Sequence, residues 1–446
     1  MSAVFDSIAE LIGRFAVPSL VFAEAVFWIA ITVLVGKILI EFVKNWWLDT
    51  VRMKFIGDIK WVLLEVRFPK GNLFFPKSME QVFSSFYQIY SFGIKPEKKW
   101  LEGQIEEWIS AEMVSSKEGI RFFIRVNKNF RNLVEKAIFA QYPEAEIIEA
   151  DYDYINDFPP DLPNEEYDIL GADMILGKNT AYPIRTYPYF FGERKFEEQE
   201  VDPIAALAEV MSNLKEDERM WVQVLVRPDG GALSKESKAL LKKLSDNKED
   251  PKKMTATESI SEWGTNLIRA PFETPVWSDE KPVEKKPLAP YEADTVRAVA
   301  QKSTKLAFQT MIRIIYIDKK NDFTPANFAA ALSTFQQFNT SNLNFLRPSP
   351  ITFTKKPRFF FRNSNILRKK KRIYKHYIKR TFTIFTGVEM GTPVVGHFHQ
   401  PAELYYMNIE ELATIFHPPI MKVGAPGLRS LETKKGAPPA NLPIEE

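Results

Sequence analysis

Residues 120–149 read IRFFIRVNKNFRNLVEKAIFAQYPEAEIIE. RFFIRV is rich in β-branched and aromatic residues and reads as a strand. FRNLVEKAIFAQY has apolar residues at helical spacing, with Asn127 or Asn129 available as a cap and Pro143 as a stop. AEIIEA is a second, short strand. Such a strand-helix-strand unit holds a nucleotide when the first turn is glycine-rich, so that backbone amides can approach phosphate. Here the turn is VNKN, without glycine. The unit therefore reads as scaffold.

Working outward, WVLLEVRF (61–68) is a strand, KSMEQVFSSFYQIYSF (77–92) a helix, and WLEGQIEEWISAEMV (100–114) a strand of weaker alternation. With RFFIRV and its successors the order over residues 58–150 is β-α-β-β-α-β, the pattern of a ferredoxin-like sandwich. An acidic linker, residues 151–180, follows. The order then recurs over residues 181–355. YPIRTYPYF (182–190) reads as a strand, and Asp202 caps the helix PIAALAEVMSNL with Pro203 in its first turn. MWVQVLVRP (220–228) and LAFQTMIRIIYI (306–317) are strands, PANFAAALSTFQQF (325–338) is a helix, and LNFLRPSPITF (343–353) is a broken strand. A charged insertion at 229–303 separates the halves and reads as an exposed helix plus solvated tether. Residues 356–446 hold a basic segment, an extended stretch GHFHQPAELYYM (396–407), a short helix at 408–417 capped by Asn408, and an extended tail. The expected fold class is α+β, an N-terminal transmembrane helix followed by two ferredoxin-like (βαββαβ) modules, the second carrying the insertion.

The transmembrane expectation rests on LVFAEAVFWIAITVLVGKILIEFV (20–43), whose 24 residues as a helix reach about 36 Å, enough for a bilayer core. Lys37 and Glu41 are spaced to pair, and Trp46 and Trp47 fall at the depth of an aromatic belt. Lys44, Arg52, Lys54 and Lys60 follow the span, against Arg14 before it. The positive-inside rule then places the body in the cytoplasm beneath the inner membrane, with a single pass. Residues 1–19 read as a short amphipathic segment on the outer membrane surface.

Zero cysteines exclude disulfides, thiolate zinc sites and thiol nucleophiles. No P-loop, dinucleotide-binding, zincin or nucleophile-elbow motif occurs. Two weaker metal signals remain. His397 and His399 share one face of a strand, with His417 or Glu403 as a third ligand. The acidic run DYDYINDFPPDLPNEEYD (151–168) lacks the glycine and terminal glutamate spacing of an EF-hand loop, so it reads as a solvated loop, with calcium as the alternative. The reading adopted is no cofactor, no metal and no catalytic residue.

Charge is unevenly placed. Between Glu144 and Asp173 lie eleven acidic residues and no Lys or Arg. Between Phe323 and Val388 there is no acidic residue, while thirteen Lys and Arg occur, twelve of them from Lys355 to Arg380. The candidate contacts are Lys355, Lys356, Arg358, Arg368, Lys369, Lys370, Lys371, Arg372, Lys375, Lys379 and Arg380. With interleaved aromatics they suit single-stranded nucleic acid; they equally suit anionic lipid, or the protein's own acidic loop.

A resemblance extends beyond pattern. WVLLEVRFPKGNLFFPKSMEQVFSSFYQIY (61–90), QYPEAEI (141–147), DPIAALAEVMSNLKEDERMWVQVLVRP (202–228), QFNTSNLNFLRP (337–348), NIEELATIFHPP (408–419) and KKGAPPANLP (434–443) occur in order. Together they resemble a membrane-anchored domain of candidate-phylum bacteria. That domain accompanies or precedes a HerA/FtsK-like ATPase of the type IV secretion and conjugation class. The resemblance implies a non-enzymatic accessory subunit whose ATPase is a separate chain, working as a homo-oligomer or within a multi-subunit complex. Two alternatives stand beside it: a membrane-tethered nucleic-acid-binding protein using 355–380, and a metal-dependent enzyme at the H-x-H pair.

Overall fold

The computed structural model describes residues 2–69, 75–116, 119–191, 201–245, 290–354, 362–382 and 405–420. They divide into two compact units: residues 2–59 with 94–105, and residues 60–93 with the described residues from 106 onward.

The first unit is built on α1, Ser2–Asp58. Its part Val26–Asp58 is long and apolar enough to cross a membrane, with a mean hydropathy of 2.2 in its most apolar window and none of that window buried. The helix continues through Pro18, so residues 1–19 do not form the separate element expected. Lys44 pairs with Glu41 at 3.5 Å, where Lys37 was expected to. A glutamate N-terminal to its lysine is the favoured orientation on a helix, and Lys37 stands on the wrong side. Beside α1 lies one turn of π-helix, Lys98–Glu102, closed by Gly103 at φ 68°.

The second unit is one nine-stranded antiparallel sheet. Its first half runs β1 (Trp61–Arg67), α2 (Pro76–Phe86), β2 (Ile109–Ser116), β3 (Gly119–Asn127), α3 (Arg131–Gln141), β4 (Glu146–Glu149). The second half opens with β5 (Tyr167–Leu176), α4 (Pro188–Phe191), α5 (Ala205–Ser212) and β6 (Arg219–Pro228). After α6 (Ala232–Ser245) and α7 (Pro290–Thr304) it continues as β7 (Ala307–Lys319), α8 (Pro325–Thr334) and β8 (Leu346–Pro348). Helix α9 (Arg362–Lys379), strand β9 (Tyr405–Asn408) and helix α10 (Ile409–Ile415) complete it. The strand order is β4-β1-β3-β2-β6-β7-β5-β8, with β9 beside the start of β7. The two halves therefore mirror each other about the β2–β6 seam, where Glu112 stands opposite Gln223.

Alternation decides which side chains meet. Val62, Leu64 and Val66 face one way with Ile124, Met113, Val222 and Ile314. Onto that face pack Val82, Phe83 and Phe86 of α2, Val134 and Ile138 of α3, Leu207 of α5, Phe328 of α8 and Leu412 of α10. Each fully buried aromatic or aliphatic side chain there contributes about 1.5–3 kcal/mol. Leu63, Phe123, Trp221, Ile315 and Ile317 face the other way and meet Ile373, Tyr374 and Tyr377 of α9.

Helix α10 starts with a capping box: Asn408 Oδ1 accepts from Glu411 N at 2.9 Å, and Glu411 Oε2 accepts from Asn408 N at 3.0 Å. Asn408→Ala is expected to cost about 1 kcal/mol of unfolding free energy, read from the urea midpoint at unchanged slope.

Several boundaries differ from expectation. The first strand of the second half is Tyr167–Leu176, inside the supposed acidic linker, and 182–190 is not a strand. Pro183 and Pro188 remove the amide donors a ladder needs, while Asp168 and Asp173 inside the strand pair with Lys370 and Arg313. Residues 100–108 are outside β2, because Gly103 in the left-handed region ends the preceding turn. Within the insertion α6 is the expected helix, though with Leu233 buried, and a second helix, α7, with Val299 buried, occupies the end that was read as tether. Asp202 accepts from Ile204 N at 2.9 Å, just ahead of α5. Asn127 caps a short 3₁₀ turn, Lys128–Phe130, that leads into α3. Of the stretch read as extended, Tyr405–Met407 lie in a strand, Tyr405–Asn408, that joins the sheet.

Candidate functional site: a basic helix over a buried ionic layer

A polar chain crosses the sheet beneath α9, spanning the seam. Arg380 follows α9 in a left-handed conformation, φ 49°. Its Nε donates to Glu112 Oε1 at 2.7 Å and its Nη2 to Oε2 at 3.1 Å. Nη1 and Nη2 reach Asp153 at 2.6 and 2.9 Å. Gln223 donates to Glu112 at 3.1 Å and accepts from Arg313 at 3.1 Å; Arg313 Nε donates to Asp173 at 2.8 Å. Tyr154 donates to Glu112 at 2.7 Å, and its hydroxyl is 2.8 Å from that of Tyr377. Glu112, Gln223 and Arg313 are fully buried. The bidentate pairing of Arg380 with Glu112 lets both charges exist away from water, since each Glu112 oxygen meets a donor.

A second group clamps β9 and α10 at the opposite face. Lys302 and Glu411, both 0% exposed, are 2.9 Å apart. Lys305 bridges Glu80, at 2.8 Å, and Glu410. His417 Nε2 lies 2.9 Å from Asp202, whose Oδ2 accepts from Ile420 N at 2.8 Å. Burial pulls the Lys302 ammonium below its ordinary 10.5, with Glu411 opposing.

Burial alone would raise Asp153, Glu65 and Asp202. Arg380 outweighs it at Asp153, Arg121 with Arg67 at Glu65, and His417 with backbone amides at Asp202, holding all three carboxyls below their ordinary values of 3.8, 4.5 and 3.8. A carboxyl lowered by folding contributes stability that is complete above its unfolded value and is lost as pH falls through the folded one. The body is expected to hold its urea midpoint down to about pH 5 and to lose it progressively below pH 4. A flat midpoint from pH 5 to pH 2 would contradict these pairings.

The sequence-derived basic set is divided by the structure. Lys355, Lys356 and Arg358 lie outside the described residues. Lys370 is bound to Asp168 at 2.6 and 2.7 Å, and Lys369 donates to the Pro350 carbonyl at 2.9 Å. Arg380 is buried, as above. Arg372 and Lys379 are half-buried, and burial lowers Lys379, helped by Lys375. Arg368, Lys371 and Lys375 are exposed. His376 is pushed well below its ordinary 6.5 by burial and by Arg313 and neighbouring cations. Of the suggested metal ligands, His397, His399 and Glu403 lie outside the described residues, and His417 is bonded to Asp202 and to the Ala413 carbonyl. Among the described residues no group of three or more His, Asp or Glu is placed to hold a metal. In the acidic run, Asp153 and Asp168 hold Arg380 and Lys370.

Sequence reasoning passed over Glu112, Asp173, Arg313, Lys302 and Glu411. The available signal was one charge inside an apolar run, as in SAEMV, GADMI and TMIRII; such a charge in a buried strand requires a partner.

No curated protein matches the chain. A family model described as Domain of unknown function (DUF8128) matches residues 58–396, from just before β1 to beyond α9, and the chain belongs to that family.

Proposed function

We propose that this chain is a non-enzymatic, single-pass scaffold of the inner membrane, with its body in the cytoplasm. In this reading it serves a type IV secretion-like or DNA-translocation machine. It docks a separate HerA/FtsK-like ATPase or neighbouring subunits, as the motif resemblance implies. The observation that carries the reading is the exposed apolar helix Val26–Asp58 with its basic C-terminal flank. Support for a structural body is the inward pairing of its charges: Glu112, Asp173, Lys302, Arg313 and Glu411 hold the fold together. We read its halves as two ferredoxin-like modules fused edge to edge. The support is the order 4-1-3-2 in the first half, its mirror image in the second, and helices between the strands of each. The short outer strands β4 and β8 leave edges to which a neighbouring subunit can add.

The intact polypeptide is expected to stay with vesicles through an alkaline carbonate wash, and protease outside sealed cells to leave the body whole. Release by carbonate, or cleavage from outside, would sink the reading. Cross-linking in native membranes is expected to join the body to a P-loop ATPase.

A second reading, nucleic-acid binding, is favoured by Arg368, Lys371 and Lys375, which form one exposed stripe at i, i+3, i+7 of α9. If it holds, neutralising all three lowers the salt slope of DNA affinity by about three. Unchanged affinity would remove the stripe from consideration.

A further inference from the structure

The Lys98–Glu102 turn is held to α1 by contacts that leave no slack. Trp47 Nε1 donates to the Trp100 carbonyl at 2.9 Å, and Lys44 Nζ sits 5.5 Å from the Trp100 ring. Gly103 meets the backbone of α1 so closely that a Cβ there would lie 2.3 Å from the Val51 carbonyl. Leu48 is buried, at 7% exposure, on this side of the helix. Yet Leu101 is 72% exposed, and Trp46 and Trp47 are 59% and 47% exposed. Lys95, Lys98 and Lys99 are exposed and form no ion pair among the described residues.

Depth along α1 says what covers this surface. A bilayer's hydrocarbon takes about 20 helical residues, and each headgroup layer adds roughly 5–7 Å. A span centred on the apolar window ends near Val43, so at 1.5 Å per residue Trp47 lies about 6 Å further out, within the headgroup layer. The turn docked at Trp47 and Val51 lies at the same level. Aromatic rings, a bare leucine and lysines on flexible stems are the side chains that layer accommodates.

We propose that residues 95–103 form an interfacial foot: Leu101 and the tryptophans enter the headgroup layer, and Lys95, Lys98 and Lys99 bind anionic headgroups. This rests on the membrane reading of α1 and deepens it, naming the lipid class and a second contact that fixes the rotation of the helix.

The chain has no cysteine, so single-cysteine variants of the full chain carry a nitroxide cleanly. Labels at Leu34→Cys, Leu101→Cys and Lys243→Cys are compared in phosphatidylcholine vesicles with and without phosphatidylglycerol. Collision with oxygen and with a water-soluble nickel reagent reads depth. Position 34 is expected in hydrocarbon and 243 in water. At 101, phosphatidylglycerol is expected to cut nickel collisions severalfold, and Lys95→Glu with Lys98→Glu and Lys99→Glu to restore them. Gly103→Ala, which displaces the turn from α1, is expected to restore them as well. A label at 101 that stays aqueous in both lipids, while 34 is in hydrocarbon, overturns the foot and leaves the anchor standing. Equal depth at 101 in both lipids overturns the anionic preference. An aqueous label at 34 overturns the anchor and the foot with it.

Discussion

Arg380→Ala is expected to lower the unfolding free energy of the body by about 3–5 kcal/mol, the cost of removing one partner from a buried ion pair. Glu112, 0% exposed, would keep Ser110, Tyr154 and Gln223 as donors but lose its counter-charge, and Asp153 would lose both of its guanidinium bonds. The substitution keeps the backbone carbonyl that accepts from Trp108 Nε1 at 2.7 Å, and Trp108, with Trp221 stacked on Tyr377 at 5.3 Å, reports the unfolding. Urea unfolding followed by tryptophan fluorescence reads the loss. The double variant Glu112→Leu with Arg380→Met is expected to be less damaging, since an apolar pair needs no solvation. A loss below about 1 kcal/mol in Arg380→Ala would rank this contact with surface pairs and remove it as the tie between α9 and the sheet.

Glu411→Ala is expected to cost a similar amount, about 3–5 kcal/mol at pH 7, several times the loss from Asn408→Ala in the same cap. Glu411 holds Lys302, accepts from Ile184 N at 2.9 Å and closes the capping box, so one substitution opens all three. It leaves an ammonium buried without a counter-charge, whose folded-state pKa drops further below 10.5. The unfolded chain then binds more protons than the folded one, so stability rises with pH. The deficit relative to the native chain should therefore shrink between pH 7 and pH 10, and residues 405–420 should gain protease sensitivity. A deficit independent of pH would mean that Lys302 is not the group left stranded.

Local preference and periodicity made much of this fold legible. Strands β1, β3, β6 and β7 fall close to their expected bounds because each is a β-branched or aromatic run ended by Pro, Gly or Asn. Helices α2, α3 and α8 were visible from apolar spacing, and Asn408 announced its cap. Strand β5 was not legible. DILGADMIL carries Asp168 and Asp173 next to an acidic run, and nothing nearby shows that Lys370 and Arg313, 202 and 140 positions away, neutralise them. Strand β9 was legible only as extended chain: four residues do not show their place in the sheet until β7 lies alongside.

The same division applies to function. Sequence by itself determined the bilayer-length apolar helix, the basic flank behind it and the lack of a phosphate loop, because these are properties of contiguous residues. Tertiary structure decided which of the basic side chains remain free to meet a partner. Proximity set by the fold turned Lys370 and Arg380 inward and left Arg368, Lys371 and Lys375 outside. A charge is disposed of by whichever counter-charge the folded chain brings within reach, and that distance is not written in the order of residues.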